Sequence, residues 1–167
     1  TYPGEWNIKG LSGTGSFDIA VDEVFVPDHR VIDPRDLSSG EAARQAGVYD
    51  RPLYRMPFNA MFGGTISAGA LAIAGGFINA FNDYARVRVT RRGNDVTQDV
   101  HLLVALGEAS ADLDASMVQF MHDIECMWEY AVAGKEIPLE VRVKVKRNQV
   151  RSVQRAVRAI DELMRHA

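Results

Sequence analysis

The spacing of apolar residues changes character once along this chain. From Phe17 to Val26 it is short: Phe17, Ile19, Val21, Val24 and Val26 alternate or cluster, with Asp18, Asp22 and Glu23 between them. That pattern predicts strands within residues 1–32, the last ended by Pro27. Residues 33–57 carry Pro34, Pro52 and Pro57 and no clear period, so they are predicted to be a connector loop packed on a surface.

From Phe58 onward the period is helical. The first run, Phe58 to Val89, places Phe62, Ile66, Ile73, Phe77 and Tyr84 on one stripe. Arg91 to Asn94 reads as the turn that follows. The second run, Asp95 to Ala133, sets Leu103, Leu106, Ser110, Leu113, Met117, Phe120, Ile124, Met127 and Ala131 at alternating steps of three and four. This is the seam of long bundle helices crossing at a shallow angle. Gly134 is the predicted C-cap. The third run follows Pro138 to the chain end, with Val150, Val153, Val157, Ile160 and Met164 in the same rhythm. Its start, Val141 to Lys146, alternates like a strand. Pro138 suits a first helical turn and the seam continues directly, so helix is predicted there too.

The predicted fold is therefore mostly α. The end of a β domain (1–32) leads through a connector (33–57) into three long antiparallel helices (58–167). An up-down bundle calls for a fourth helix, so the helical domain is expected to be incomplete. The first residues read as mid-strand and the chain lacks an initiator Met, which predicts a fragment of a longer protein. Gly63, Gly64, Gly69, Gly75 and Gly76 crowd the first helix. Each costs about 1 kcal/mol of helix propensity relative to Ala. Close approach of another backbone or a flat ligand is the expected compensation.

Composition narrows the function classes. A net charge of −3 excludes a general polyanion binder, and the single Cys126 excludes an intrachain disulfide and a cysteine-rich metal site. Cys126 sits beside seam residues and reads as packing. A cytoplasmic location is expected. The longest apolar stretch, Ile66 to Ile78, is broken by Ser67, Gly69, Gly75 and Gly76. It is shorter than the ~18 residues a membrane span needs, so no membrane association is expected. Residues 135–167 hold nine Lys/Arg against four Asp/Glu, yet no aromatic follows Tyr130. Without a stacking platform this reads as a solvated or intersubunit face, and no nucleic-acid partner is expected.

Candidate chemistry is sparse. Gly10, Gly13 and Gly15 suggest a phosphate loop, but a strand-like run follows them where a cradle needs a helix N-terminus, so a tight β-hairpin is expected instead. His29, His101, His122 and His166 show no metal-ligand spacing, and no Glu-x-x-His pair occurs, so no metal is expected. The more informative group is Tyr84-Ala-Arg86-Val-Arg88-Val-Thr90 at the end of the first helix. Arginines and a hydroxyl at a helix end can grip a diphosphate by bidentate hydrogen bonds. Helix-end arginines also serve the macrodipole.

Several stretches together resemble the acyl-CoA dehydrogenase superfamily. Trp6 to Ser16 and Val21 to Pro27 look like the closing strands of its β domain, and the Gly-Thr-Gly-Ser form is more similar to its monooxygenase branch. Leu106 to Ala115, Trp128-Glu129, Arg147 to Arg151 and Ala156 to Asp161 are similar to that branch's helical C-terminal domain. Pro52 to Pro57 resembles the secosteroid-phenol hydroxylases.

The resemblance implies a two-component flavin-dependent monooxygenase that hydroxylates a phenolic or polycyclic aromatic substrate with O₂ and reduced flavin, FMN or FAD. A separate flavin reductase would supply the flavin by diffusion, and the enzyme would be a homo-oligomer, expected to be a tetramer. Tyr84, Ala85, Arg88 and Thr90 match the family's flavin-phosphate motif, which makes Arg88, with Arg86 and Thr90, the expected cofactor contacts. Tyr54, Met56, Phe58 and Phe62 are the expected substrate-pocket residues. The catalytic residues are expected outside this chain, and the chain alone is expected to be inactive.

Two other functions stay open. An acyl-CoA dehydrogenase would need a carboxylate base, which most members of the family place beyond this stretch and a few place early on the first bundle helix. Residues 53–82 contain no Asp or Glu, so the early site is excluded, and Arg91-Arg92 replaces the Phe-Gly usual in the dehydrogenases. A non-catalytic helical oligomerisation module is the other alternative.

Overall fold

A computed structural model describes residues 6–89 and 98–166. The chain divides into two compact units, 1–33 and 34–167.

In the first unit, the glycine run folds as a 3-10 turn over Ser12–Thr14, with Gly10, Leu11 and Gly15 in the left-handed region (φ 74°, 51° and 57°). The Leu11 carbonyl accepts from Trp6 Nε1 at 3.1 Å and from Thr14 Oγ1 at 2.8 Å. The turn thus closes on side chains, and the expected β-hairpin does not form. The alternating stretch after it makes no ladder among the described residues. A strand exists only where a neighbour takes its backbone hydrogen bonds, and no described segment supplies one. The phosphate-loop reading stays excluded, because no helix starts after Gly15.

The second unit begins with two short helices where a loop was expected: α1 (Pro34–Ser39) and α2 (Glu41–Gln45), followed by a 3-10 turn over Pro52–Arg55. Pro34 occupies the first position of α1, where a missing N–H costs nothing. Gly40 breaks the two helices apart at φ 80°, and a Cβ there would sit 2.6 Å from the Tyr49 ring. Arg55 fastens this segment down. Its guanidinium donates to the Tyr49, Asp50 and Ala131 carbonyls at 2.8, 3.0 and 2.8 Å. The last of these belongs to the C-terminal turn of a bundle helix, where carbonyls lack helical partners.

Three long helices follow: α3 (Phe58–Val87), α4 (Val100–Val132) and α5 (Leu139–Met164). The Asp99 carboxylate caps α4, accepting from the His101 and Leu102 amides. The expected start at Asp95 falls in residues outside the described set. Gly134 terminates α4 at φ 67°, with the Lys135 amide reaching back to Tyr130 O. Pro138 stands immediately before α5 rather than inside it. The helices run up, down and up. Ala60 meets Gln149 and Arg88 meets His166, so α3 and α5 are parallel, and α4 opposes both.

The interior is layered along the bundle. At one end Met56, Ala60, Met127, Ala131, Ile137 and Val145 pack together. At the other, Ile78, Phe81, Ala85, Leu102 and Leu163 pack with alanines. Leu71, Ala74 and Ala156 lie between. A polar layer separates these last three from the first cluster. There Asn148 Nδ2 donates to the buried Asp123 carboxylate at 2.7 Å, Gln149 Nε2 donates to Ala60 O at 2.8 Å, and Ser67 and Ser152 hydroxyls both donate to Gln149 O.

The seams differ from those the periodicity predicted. On α3 the buried positions are Ala60, Gly64, Ser67, Leu71, Ala74, Ile78, Phe81 and Ala85, while Phe62, Ile66, Ile73 and Tyr84 are exposed. On α5, Asn148, Gln149 and Ser152 lie inside and Val150, Val157 and Met164 outside. On α4 the expected seam is fully buried only at Met127 and Ala131. Small and polar side chains let the backbones close, and the bulkier apolar rows are displaced outward. The α3 glycines split accordingly. A Cβ on Gly63 would meet Gln149 and Lys146, whereas Gly69 and Gly76 face open space.

Among the described residues α3 is long and apolar enough to cross a membrane by length and composition, a property that the glycine interruptions hid. Only 28% of that apolar stretch is buried, through the row seated against α4 and α5.

The buried and outward rows make opposite predictions. Leu71 is 1% exposed and Ile73 is 71% exposed. Leu71→Ala should lose about 2–4 kcal/mol in urea unfolding of the chain. Ile73→Ala should change stability by less than about 0.5 kcal/mol. Equal losses would mean that α3 is rotated from this arrangement.

Candidate cofactor and substrate contacts

The expected cofactor contacts lie where α3 ends. The helix stops at Val87, and Arg88 turns extended (φ −82°, ψ 133°) with its amide still reaching Ala85 O at 3.4 Å. The Arg88 guanidinium passes 5.4 Å over the Tyr84 ring, and its Nη1 donates to His166 O at 2.9 Å. This bond ties the end of α3 to the end of α5 and uses one of five guanidinium donors. Arg86 is exposed on a different face, two residues earlier. Thr90 lies outside the described residues.

The expected substrate residues lie at the opposite end of α3. Phe58 and Phe62, one helical turn apart, stack at 5.8 Å between ring centroids with a 19° interplanar angle, and both are exposed. Tyr54 is also exposed, on the 3-10 turn before the helix. Met56 does not join them. It is buried against Ala60, Met127 and Val145. The exposed aromatics form a hydrophobic edge rather than an enclosed pocket.

His29, His101 and His122 are exposed. His166 Nε2 lies 3.9 Å from Glu162. Among the described residues no cluster of three His, Cys, Asp or Glu side chains could hold a metal. Cys126 is half-buried and unbonded. Arg55 is the important residue that the sequence reading passed over. It stood inside Pro52 to Pro57, but of its three carbonyl partners the one that ties it to the bundle, Ala131, lies 76 positions away.

Residues 64–167 match the family described as acyl-CoA dehydrogenase, C-terminal domain. The chain belongs to that family. It is 36% identical over 158 residues to a pigment production hydroxylase of Rhodococcus erythropolis, covering 95% of this chain and 40% of the relative. It is also 36% identical over 160 residues to the flavin-dependent monooxygenase oxygenase subunit HsaA of Rhodococcus jostii, covering 95% of this chain and 42% of that subunit. The crystal structure of 3-HSA hydroxylase from Rhodococcus sp. RHA1 superposes with a TM-score of 0.81 at 34% identity, covering 96% of this chain and 42% of that one. The chain thus spans about two fifths of the length of the relatives it matches. The helical acyl-CoA-dehydrogenase-like fold expected from the sequence is the fold observed.

Arg88 has a measurable structural role. Arg88→Ala should lower stability by about 1 kcal/mol, the net worth of one partly exposed charge-assisted hydrogen bond. It should also speed amide exchange in the last turn of α5. Unchanged exchange there would show that the contact with His166 carries no load.

Proposed function

We propose that this chain is the helical part of the oxygenase component of a two-component flavin-dependent monooxygenase, acting on a phenolic or polycyclic aromatic substrate. The observation that carries this reading is its 95% coverage by relatives whose names describe hydroxylases and flavin-dependent monooxygenases. Arg91-Arg92 speaks against the acyl-CoA dehydrogenase alternative, and the lack of Asp or Glu over residues 53–82 excludes the early position of its base.

In this reading reduced flavin supplies the activation of O₂, as FMN or FAD delivered from a reductase. Arg88 holds a flavin phosphate with its remaining donors, and the bond to His166 O fixes the guanidinium plane before the ligand arrives. Thr90 and Arg86 extend the contact. Tyr54, Phe58 and Phe62 present ring faces and edges to an aromatic substrate, while Met56 serves the core behind the start of α3. The residues that move protons lie outside the chain.

Assembly belongs to the same reading. The outward rows Phe62, Ile66 and Ile73 on α3 and Val118 and Met121 on α4 are more apolar than a solvated face requires. A homo-oligomer, proposed as a tetramer, would cover them. The surroundings are proposed to be cytoplasmic, with no membrane or nucleic acid as partner.

The test uses the protein at the full length of its relatives. With reduced flavin and O₂, a phenol should be hydroxylated with matching O₂ consumption. Arg88→Ala should weaken flavin binding by about ten-fold or more, the equivalent of one charge-assisted contact. Bleaching of oxidised flavin by an acyl-CoA thioester would overturn the monooxygenase reading. Unchanged flavin affinity would overturn the role of Arg88.

A further inference from the structure

At the α4–α5 turn, far along α3 from Arg88, a cleft of about 390 Å³ opens against the segment that Arg55 fastens down. Its lining includes Arg44, Lys135 and Arg142, with one carboxylate, Glu136. A neighbouring cavity of about 320 Å³ shares Arg142, Ser38 and Ser39. These cations come from three separate stretches of sequence, brought together by the fold of residues 34–57 against the start of α5.

Most polar groups around the cleft are already occupied. Arg44 stacks on Tyr49 at 4.0 Å and lies 3.6 Å from Glu41. Arg55 is committed to three carbonyls. The Ser38 and Ser39 hydroxyls donate to α1 carbonyls. Lys135, Glu136 and Arg142 differ: among the described residues none of the three makes a side-chain hydrogen bond or ion pair, and Arg142 Nε is buried without an acceptor. An orphaned buried donor costs about 1–3 kcal/mol. An apolar ligand would deepen the desolvation. An oxyanion relieves it: it accepts from Arg142 in the fork geometry and neutralises Lys135.

We propose that this cleft is a binding site for a phosphate-class oxyanion, with Arg142 as its principal donor and Lys135 as its second charge. The ligand is either free phosphate or the terminal phosphomonoester of a larger molecule, whose remainder would lie towards the neighbouring cavity. The site is separate from Arg88 and does not depend on the monooxygenase reading.

The experiment is calorimetric titration of the full chain with inorganic phosphate at constant ionic strength, with circular dichroism confirming that every variant is helical. Saturable one-to-one binding is expected. Arg142→Gln should weaken it at least ten-fold, Arg142→Lys should fall between, and Arg158→Gln, which removes an exposed cation outside the cleft, should leave it unchanged. FMN and riboflavin then separate the sources. Competition by FMN but not riboflavin supports the site with a phosphomonoester as ligand; competition by neither supports it with free phosphate. Absence of saturable phosphate binding to the folded chain overturns the proposal. Binding that survives Arg142→Gln, or that is lost in Arg158→Gln, overturns it as well.

Discussion

The fit of Gln149 against the glycine step of α3 sets the spacing of the whole helical unit. Its Nε2 donates to Ala60 O at 2.8 Å, and its backbone carbonyl accepts from the Ser67 and Ser152 hydroxyls. A glutamine side chain can lie this deep, at 4% exposed, only where the facing helix carries no Cβ. At Gly63 a Cβ would fall 2.9 Å from Oε1, and at Gly64 3.3 Å from Nε2. The glycines that weaken α3 as an isolated helix are thus what allow α5 to approach it. The same layer seats Asn148 on the buried Asp123 carboxylate. Polar pairs in a bundle interior tolerate few registers, so this layer fixes how the apolar layers on either side align.

That choice determines the outer surface. With small and polar residues inside, Phe62, Ile66 and Ile73 on α3 and Val150 and Val157 on α5 have no place in the three-helix interior. Their outward position explains why so apolar a chain leaves large hydrophobic side chains exposed, and it is the physical basis of the proposed assembly. It also leaves both ends of α3 accessible. One carries Arg88 held by His166; the other carries the stacked Phe58 and Phe62.

Much of the helical architecture was legible in the sequence because element existence depends on period. The three long helices, the glycine stop at 134 and the start of α3 at Phe58 all follow from local pattern. Which face is buried was not legible. Periodicity ranks faces by hydrophobicity, and here the tightest contacts use alanine, glycine, serine and two amides, which score low on that scale. Residues 34–57 were opaque for a related reason. Their helices are five or six residues long, below the length at which a period shows, and are held by Arg55 contacts that span up to 76 positions. At the candidate site, the sequence located Arg88 at a helix end but not its bond to His166, because the two are 78 residues apart. The alternating residues near the start were read for their pattern, whereas a strand also needs a partner.

A double-mutant cycle between Gly63 and Gln149, measured by urea unfolding, tests the central claim most directly. With Gln149 present, Gly63→Ala should destabilise the chain by about 1–3 kcal/mol, because the new methyl displaces a pinned side chain. In the Gln149→Ala background the same change should be neutral or stabilising by up to about 1 kcal/mol, as helix propensity alone dictates. An equal cost of Gly63→Ala in both backgrounds would contradict the account, since the glycine would then answer to something other than Gln149.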